Sequence, residues 1–215
     1  MRVHRLGVPV VFALGLSLLA GCGAEEPPLG SHSSGFLSDP SQLQPGRGDQ
    51  AQLIYINPQA DFSSYENVII DPVAVWQGAG SCFPGVSPGE LESLARDLGA
   101  SMREQLAHEF QVLDRPAAGT LQLRIALVEV RRAGAGTGAD FVGSVAIELE
   151  ILDAVSGERL VAAADVRGQG EGAGDLDRDG TNLHDAFDEW ASRARDRLSL
   201  FRDFDAAQAG LDSGP

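Results

Sequence analysis

Two stretches of the chain place apolar residues three and four positions apart, which is the spacing of an amphipathic α-helix. The first begins at Ser87, where Pro88 and Glu90 complete a capping box, and its stripe consists of Leu91, Leu94, Ala95, Leu98, Met102 and Leu106. The second begins at Thr181 or Asn182, and its stripe consists of Leu183, Phe187, Trp190, Ala194, Leu198 and Phe201. The sequence therefore predicts two helices, each with one buried face.

Between these helices the apolar period changes to two, which is typical of strands with one buried face. The alternation covers residues 121–128 and 145–152, and a turn with Gly157 at a positive φ leads to a third strand at 160–166. Shorter strands are predicted at 53–56, 68–76 and 110–113. Pro72 is expected to move part of the second short strand to a sheet edge or a bulge.

The predicted element order is β-β-α-β-β-β-β-α. This order indicates an α+β fold, a two-layer sandwich in which a mostly antiparallel β-sheet carries two amphipathic helices on one face.

The N-terminus has the pattern of a secretory signal. Arg2 and Arg5 precede an apolar run at residues 6–20, which is too short to span a hydrocarbon layer of about 30 Å. The run ends in Leu19-Ala20-Gly21-Cys22, which resembles the lipobox of bacterial lipoproteins. The resemblance implies diacylglycerol on the Cys22 thiol, cleavage before Cys22, and a third acyl chain on the new amino group.

The chain is accordingly divided into four segments. They are a lipoprotein signal peptide (1–21), a lipidated flexible tether (22–50), a single α+β domain (51–204) and a disordered tail (205–215). The tether is rich in Gly, Ser, Pro and Gln, a composition that buries too little apolar surface to fold by itself. Within it, Ser34-Gly35-Phe36-Leu37 is an apolar island that we expect to dock on the domain.

Charge and composition exclude several functions. The formal net charge of −15 argues against binding to nucleic acid or to anionic headgroups. The chain contains no lysine, so a phosphate-loop lysine and a Schiff base are impossible. Besides Cys22 the chain has one cysteine, Cys82, which is interpreted either as a partly buried inert residue or as a thiol that pairs with another chain.

One loop has the spacing of a metal site. Asp175, Asp177, Asp179 and Gly180 match the first half of a calcium-binding loop, since alternate carboxylates can converge on one hard cation. The match fails at the twelfth position, where Ala186 stands instead of a bidentate glutamate. The loop is therefore interpreted as a weak Ca²⁺ site or as a solvated acidic loop before a helix.

Aromatic and acidic side chains suggest a possible ligand pocket. The candidates are Asp61, Tyr65, Asp71, Trp76 and Trp190. The alternatives are structural: Trp190 falls on the buried helical stripe, and Asp71 before Pro72 fits a turn. No nucleophile–base set or complete metal-ligand set emerges, so no catalytic residue, enzyme activity or cofactor is predicted.

Several short motifs occur in order along nearly the whole chain after Cys22. They include Ser34-Gly35-Phe36-Leu37, Tyr55-Ile56-Asn57-Pro58, Ile70-Asp71-Pro72-Val73, Phe141-Val142-Gly143, Glu148, Glu150-Ile151-Leu152-Asp153 and Asp185-Ala186-Phe187 with Trp190. With these motifs the chain resembles the bacterial lipoproteins grouped as domain of unknown function 3313 (DUF3313). The resemblance implies the fold and an envelope location, and it implies no activity.

These features predict an accessory or binding protein of the bacterial envelope. We expect Cys22 to hold the domain at the periplasmic face of the outer membrane, where it would contact another envelope protein. Gly23 supports this location, because by resemblance to lipoprotein sorting signals it lacks the aspartate that retains a lipoprotein in the inner membrane. The alternative is a periplasmic module that binds calcium or a small ligand through residues 175–179.

Overall fold

The computed structural model describes residues 34–132, 142–168, 174–175 and 183–212, with the backbone alone for residues 142, 174, 175 and 210–212. These residues form nine strands: β1 (Gln44–Pro45), β2 (Leu53–Ile56), β3 (Asn67–Ile70), β4 (Ala74–Val75), β5 (Gln111–Val112), β6 (Thr120–Arg132), β7 (Val142–Asp153), β8 (Arg159–Gly168) and β9 (Gly174–Asp175). The helices are α1 (Pro88–Leu106) and α2 (Leu183–Asp212), with short 3₁₀ turns at Pro40–Gln42 and Phe62–Ser64. Within the described ranges, no helix combines the length and apolar character needed to cross a membrane.

All strands belong to one mixed sheet in the order β1-β2-β8-β7-β6-β3-β5, with β4 beside β6 and β9 beside β8. The long strands β6, β7 and β8 are antiparallel neighbours, whereas β3 and β4 run parallel to β6. Both helices cover one face of this sheet, which we call the helix face, and the opposite face is called the outer face. The α+β sandwich predicted from the sequence is confirmed.

The alternation in β6 builds the core on the helix face. Leu121, Leu123, Ile125 and Leu127 are almost fully buried there, against apolar residues of both helices. A bulge between Leu127 and Glu129 then adds one residue to the strand. The extra residue shifts the alternation between the two faces by one position. Val130 therefore points into the same core as the odd-numbered residues Leu121 to Leu127.

Helix α1 begins as its sequence predicts. The Ser87 hydroxyl accepts a hydrogen bond from the backbone N–H of Glu90, whose carboxylate accepts one from the Ser87 N–H in return. The buried stripe of this helix consists of Leu91, Ala95, Leu98, Met102 and Leu106. Glu90 also pairs with Arg132 at the end of β6, so the cap joins the start of α1 to the sheet.

Helix α2 extends further than predicted. Phe187, Trp190, Ala191 and Leu198 form its buried side, and the helix continues to Asp212. The segment 205–215, predicted to be a disordered tail, is therefore helical through residue 212. One tertiary contact contributes to this extension, because the Asp205 carboxylate accepts a hydrogen bond from the backbone N–H of Phe62 at 2.7 Å.

One sequence prediction agrees with the structure and another needs correction. The β run at 68–76 is divided into β3 and β4 around Pro72, and β4 pairs with β6 alone among the described strands, so part of the run lies at an edge as expected. The predicted tether at 22–50 is ordered from residue 34, because this segment finds apolar and polar partners on the outer face. The turn before β8 does have Gly157 at φ +73°, as expected.

Candidate functional site

The predicted acidic and aromatic residues serve turns and strand contacts. Asp61 caps the 3₁₀ turn by accepting hydrogen bonds from the N–H and hydroxyl of Ser63, and these bonds lower the pKa of the Asp61 carboxyl. The Tyr65 hydroxyl donates to Asp153 at 3.0 Å. Burial, with this hydrogen bond as the next cause, raises the pKa of Tyr65 well above its ordinary value, so the hydroxyl remains a neutral donor.

Asp71 lies on the other side of the sheet. Its carboxylate accepts a hydrogen bond from the Gln122 side chain at 2.8 Å, and the neighbours of Gln122 in β6 point into the helix-face core. Tyr65 belongs to that core, so Tyr65 and Asp71 are on opposite faces. Trp76 and Trp190 are likewise separated, the first against the outer-face cluster and the second in the helix-face core. The described residues therefore do not form the pocket predicted from Asp61, Tyr65 and Asp71.

The calcium candidates are mostly outside the described part of the chain. Asp177 and Asp179 lie outside the described residues, and Asp175 is described only as a backbone partner of Gly168 in β9. Within the described ranges, no three His, Cys, Asp or Glu side chains are arranged to hold a metal ion. Binding of Ca²⁺ by residues 175–179 stays a prediction. Cys22 also lies outside the described residues.

The outer face binds a segment of the chain itself, an arrangement that the sequence indicated only weakly. Residues 34–42, called the strap, lie across the middle of the sheet. Phe36 and Leu37 of the strap are buried against a floor of small residues, which consists of Ala126, Ala146 and Ala162 with Val128. Small side chains on three adjacent strands let a segment of backbone approach the sheet closely.

Two glutamates of β7 fix the strap to this floor. Glu148, 5% exposed, accepts hydrogen bonds from the backbone N–H of Ser34 at 3.3 Å and from its hydroxyl at 2.6 Å. Glu150, fully buried, accepts from the N–H of Ser38 at 2.7 Å and from its hydroxyl at 2.6 Å. These buried carboxylates are thus satisfied largely by the strap itself.

Arginines on the neighbouring strands complete the site around Glu150. Arg124 lies 3.0 Å from one Glu150 oxygen, and Arg159 lies 3.6 Å from the other. Arg159 also donates to the backbone oxygen of Asp39 at 2.8 Å, which adds a contact at the far end of the strap. The charge of Glu150 is therefore compensated on both sides.

An aromatic pair holds the first residues of the strap against the sheet. The Phe36 and Trp76 rings meet edge to face with their centroids 5.5 Å apart, and the Arg124 guanidinium lies 5.3 Å from the Phe36 centroid. The Trp76 indole N–H donates to the backbone oxygen of Ser34 at 2.8 Å. A side chain at Gly78 would overlap that same oxygen, so the strap requires glycine at this position.

A cavity of about 90 Å³ lies on the helix face beneath α2, and we call it the α2 cavity. Its interior is apolar and includes Ile54, Leu149, Val161, Trp190, Ala194 and Phe201. Asp49, Arg193 and Arg197 are polar residues among those that line it. Sequence reasoning assigned Trp190 to the core and did not find this cavity, which depends on contacts between segments far apart in the chain.

Exposed apolar residues of α2 mark a second surface. Leu200 and Phe204 are 54% and 59% exposed and lie one helical turn apart, whereas Val155, 67% exposed, is in the turn between β7 and β8. Two large apolar side chains at a spacing of four share one side of the helix. This pair is called the α2 patch.

The described residues form an α+β fold that holds the strap against the outer face of the sheet. The chain belongs to the DUF3313 family, described as "Protein of unknown function (DUF3313)", whose model matches residues 32–194. The resemblance seen in the sequence is thus confirmed, and the match includes the whole strap. Among curated proteins, none matches this chain.

Similar solved structures include a protein described as a lipoprotein and proteins of other families. The PelC dodecamer from Paraburkholderia phytofirmans is 14% identical with a TM-score of 0.41, covering 67% of this chain and 94% of that one. A DUF4136 family protein from Bacteroides thetaiotaomicron is 13% identical with a TM-score of 0.39, covering 69% and 95%. Lipoprotein GNA1162 from Neisseria meningitidis is 11% identical with a TM-score of 0.31, covering 52% and 86%.

Proposed function

We propose that this protein is a non-enzymatic accessory lipoprotein of the bacterial envelope. Acyl chains on Cys22 would hold it at the periplasmic face of the outer membrane, and the folded domain would contact another envelope protein. The proposal is supported by the lipobox at Leu19-Ala20-Gly21-Cys22. It is also supported by Gly23, which occupies the position where an aspartate would retain a lipoprotein in the inner membrane. The acidic and aromatic candidates for chemistry are already engaged in turns and strand contacts.

The observation that carries this proposal is the position of the strap relative to Cys22. Ser34 is fixed on the domain by Glu148, so only 34 − 22 = 12 peptide units join this fixed point to Cys22. At about 3.5 Å per residue, this connection spans at most about 40 Å. A tether extending to residue 50 would span more than twice that distance. The domain would therefore act close to the membrane surface and on partners located there.

Lipidation and sorting are tested by metabolic labelling with an alkyne-bearing palmitate, followed by separation of inner and outer membranes on a density gradient. We expect the wild-type protein to carry the label and to sediment with the outer membrane. Cys22→Ser should lose both the label and the membrane association. Gly23→Asp is the matched control for sorting, since it should keep the label and move to the inner membrane. An unlabelled wild-type protein would contradict the anchor.

The α2 patch is the surface that we propose for the envelope partner. Adjacent exposed apolar side chains favour a protein contact over solvent. A photoreactive amino acid at position 200 or 204 should give a discrete crosslinked species in living cells, and the same residue at position 155 serves as an equally exposed apolar control. Crosslinks of equal yield from all three positions, or none from α2, would contradict this assignment.

A further inference from the structure

We propose that the α2 cavity binds an aliphatic carboxylate, with the hydrocarbon tail inside the cavity and the carboxylate on Arg197 at its mouth. The interior is formed by side chains such as Ile54, Leu149 and Val161, which offer no hydrogen bonds to water. Apolar cavities of this kind stay dry and accept apolar guests. About 10–15 Å³ of such volume admits one water-sized group, so about 90 Å³ admits roughly six to nine of them in a row, which suits an aliphatic chain of that length.

The charge at the mouth selects the head group. Arg197 and Arg193 both line the cavity from α2, in a chain whose formal net charge is −15. Arg197 pairs with Asp49, whose carboxylate side chain is 66% exposed. An ion pair with so much solvent contact contributes little to stability, so a ligand carboxylate can take the place of Asp49 without a large loss.

The polar group in the cavity wall does not favour a cationic ligand. The Asp165 carboxylate accepts hydrogen bonds from the Trp190 indole N–H at 2.7 Å and from the Gln52 backbone N–H at 2.9 Å. It also lies 3.0 Å from the Arg167 guanidinium. Arg193 is paired with Glu189 one turn earlier in α2. Because Asp165 and Arg193 are both compensated in this way, Arg197 determines the charge preference at the mouth.

Trp190 provides a reporter for this site because it lines the cavity, and the only other tryptophan is Trp76 on the outer face. We would prepare the full mature chain with Cys22→Ser, so that no acyl chain of its own competes, and with Trp76→Phe. The probe is ω-bromooctanoate, because bromine quenches indole fluorescence on contact. Saturable quenching of Trp190 that unbrominated octanoate reverses is the expected result, and the absence of saturable quenching below the micellar range would overturn the proposal.

Two kinds of variant test the binding of the hydrocarbon tail and of the carboxylate separately. Ala194→Phe and, independently, Ala163→Leu fill the cavity, and each should abolish quenching in protein that keeps its circular dichroism spectrum. Arg197→Gln should weaken octanoate binding about tenfold and leave octanol binding unchanged, because only the carboxylate gains charge-assisted hydrogen bonds. Arg195→Gln is the matched control, since Arg195 pairs with Asp196 and does not line the cavity. Equal losses in the two arginine variants would overturn the assignment of the head group.

Discussion

The strap makes a strong prediction about Glu150. Glu150→Ala removes the acceptor for the N–H and hydroxyl of Ser38 and the ion pairs with Arg124 and Arg159. It also leaves a gap at the centre of the outer face, because the Glu150 side chain has no solvent exposure. The strap is still held by Phe36 and Leu37, so we expect it to remain docked but weakened.

The expected loss of unfolding free energy depends on the residues that Glu150 contacts. Removing one partner of a buried ion pair costs about 3–5 kcal/mol of unfolding free energy. Arg124 keeps 38% of its side chain in solvent, which places the expected loss near the lower end, at about 3 kcal/mol. Glu150→Gln keeps an oxygen for Ser38 and loses the charge, so about half of that loss is expected.

Urea unfolding of the mature chain with Cys22→Ser measures the global effect, and amide hydrogen exchange measures the strap. Protection of the Ser38 amide should fall more than that of core amides in β6. Glu158→Ala is the control, because this exposed glutamate contacts the Asn57 side chain and should change stability by less than about 0.5 kcal/mol. A loss below about 1 kcal/mol for Glu150→Ala, or unchanged Ser38 protection, would refute the view that Glu150 holds the strap.

Three further predictions concern other contacts. Leu98→Ala should lower the unfolding free energy in urea by about 3 kcal/mol, because Leu98 is fully buried between α1 and the sheet; a loss below about 1 kcal/mol would contradict this packing. Gly78→Ala should expose the strap to protease while the core stays folded, since the new methyl group overlaps the Ser34 oxygen; unchanged cleavage would contradict it. The hydrogen bonds from Ser87, followed by Arg132, lower the pKa of Glu90 to about 2. The stabilisation that wild type gains over Glu90→Gln should therefore be complete above about pH 4.5, fall as the pH drops towards 2 and vanish below it, and a difference independent of pH in that range would contradict it.

The main elements of the fold were predictable because each carries its own local signal. The stripe of α1, its capping box and the alternation in β6 are periodic patterns within one segment. Pro72 indicated the break between β3 and β4. The parallel pairing of both strands with β6 was less predictable, because β6 lies about fifty residues further along the chain. The helical extension to Asp212 similarly includes a contact with the backbone of Phe62, which leaves no periodic signal.

The candidate site was harder to predict because it depends on contacts across long separations. Glu148 and Glu150 were recognised only as members of a family motif, and nothing nearby in the sequence indicates their partners, Ser34 and Ser38. Their one local signal is the i, i+2 spacing of two carboxylates, which places both on the same face of β7, where their neighbours on β8 are alanines. By contrast, Asp61 caps a turn through Ser63, and Asp71 bonds to the Gln122 side chain, so both have structural roles. The sequence indicated a turn at Asp71 and no structural role for Asp61.

Buried carboxylates on the outer face also explain why the strap has one register. A floor of Ala126, Ala146 and Ala162 could be covered by almost any apolar segment, in several positions along the sheet. Glu148 and Glu150 restrict this choice, since sliding the strap by one residue would leave both carboxylates buried without the serine donors they bind now. Buried charges often contribute little net stability, and one use of them is to specify a unique arrangement. Here that arrangement fixes Ser34 and Ser38 on the domain, and so limits the distance between this point of the domain and Cys22 to the reach of the intervening chain.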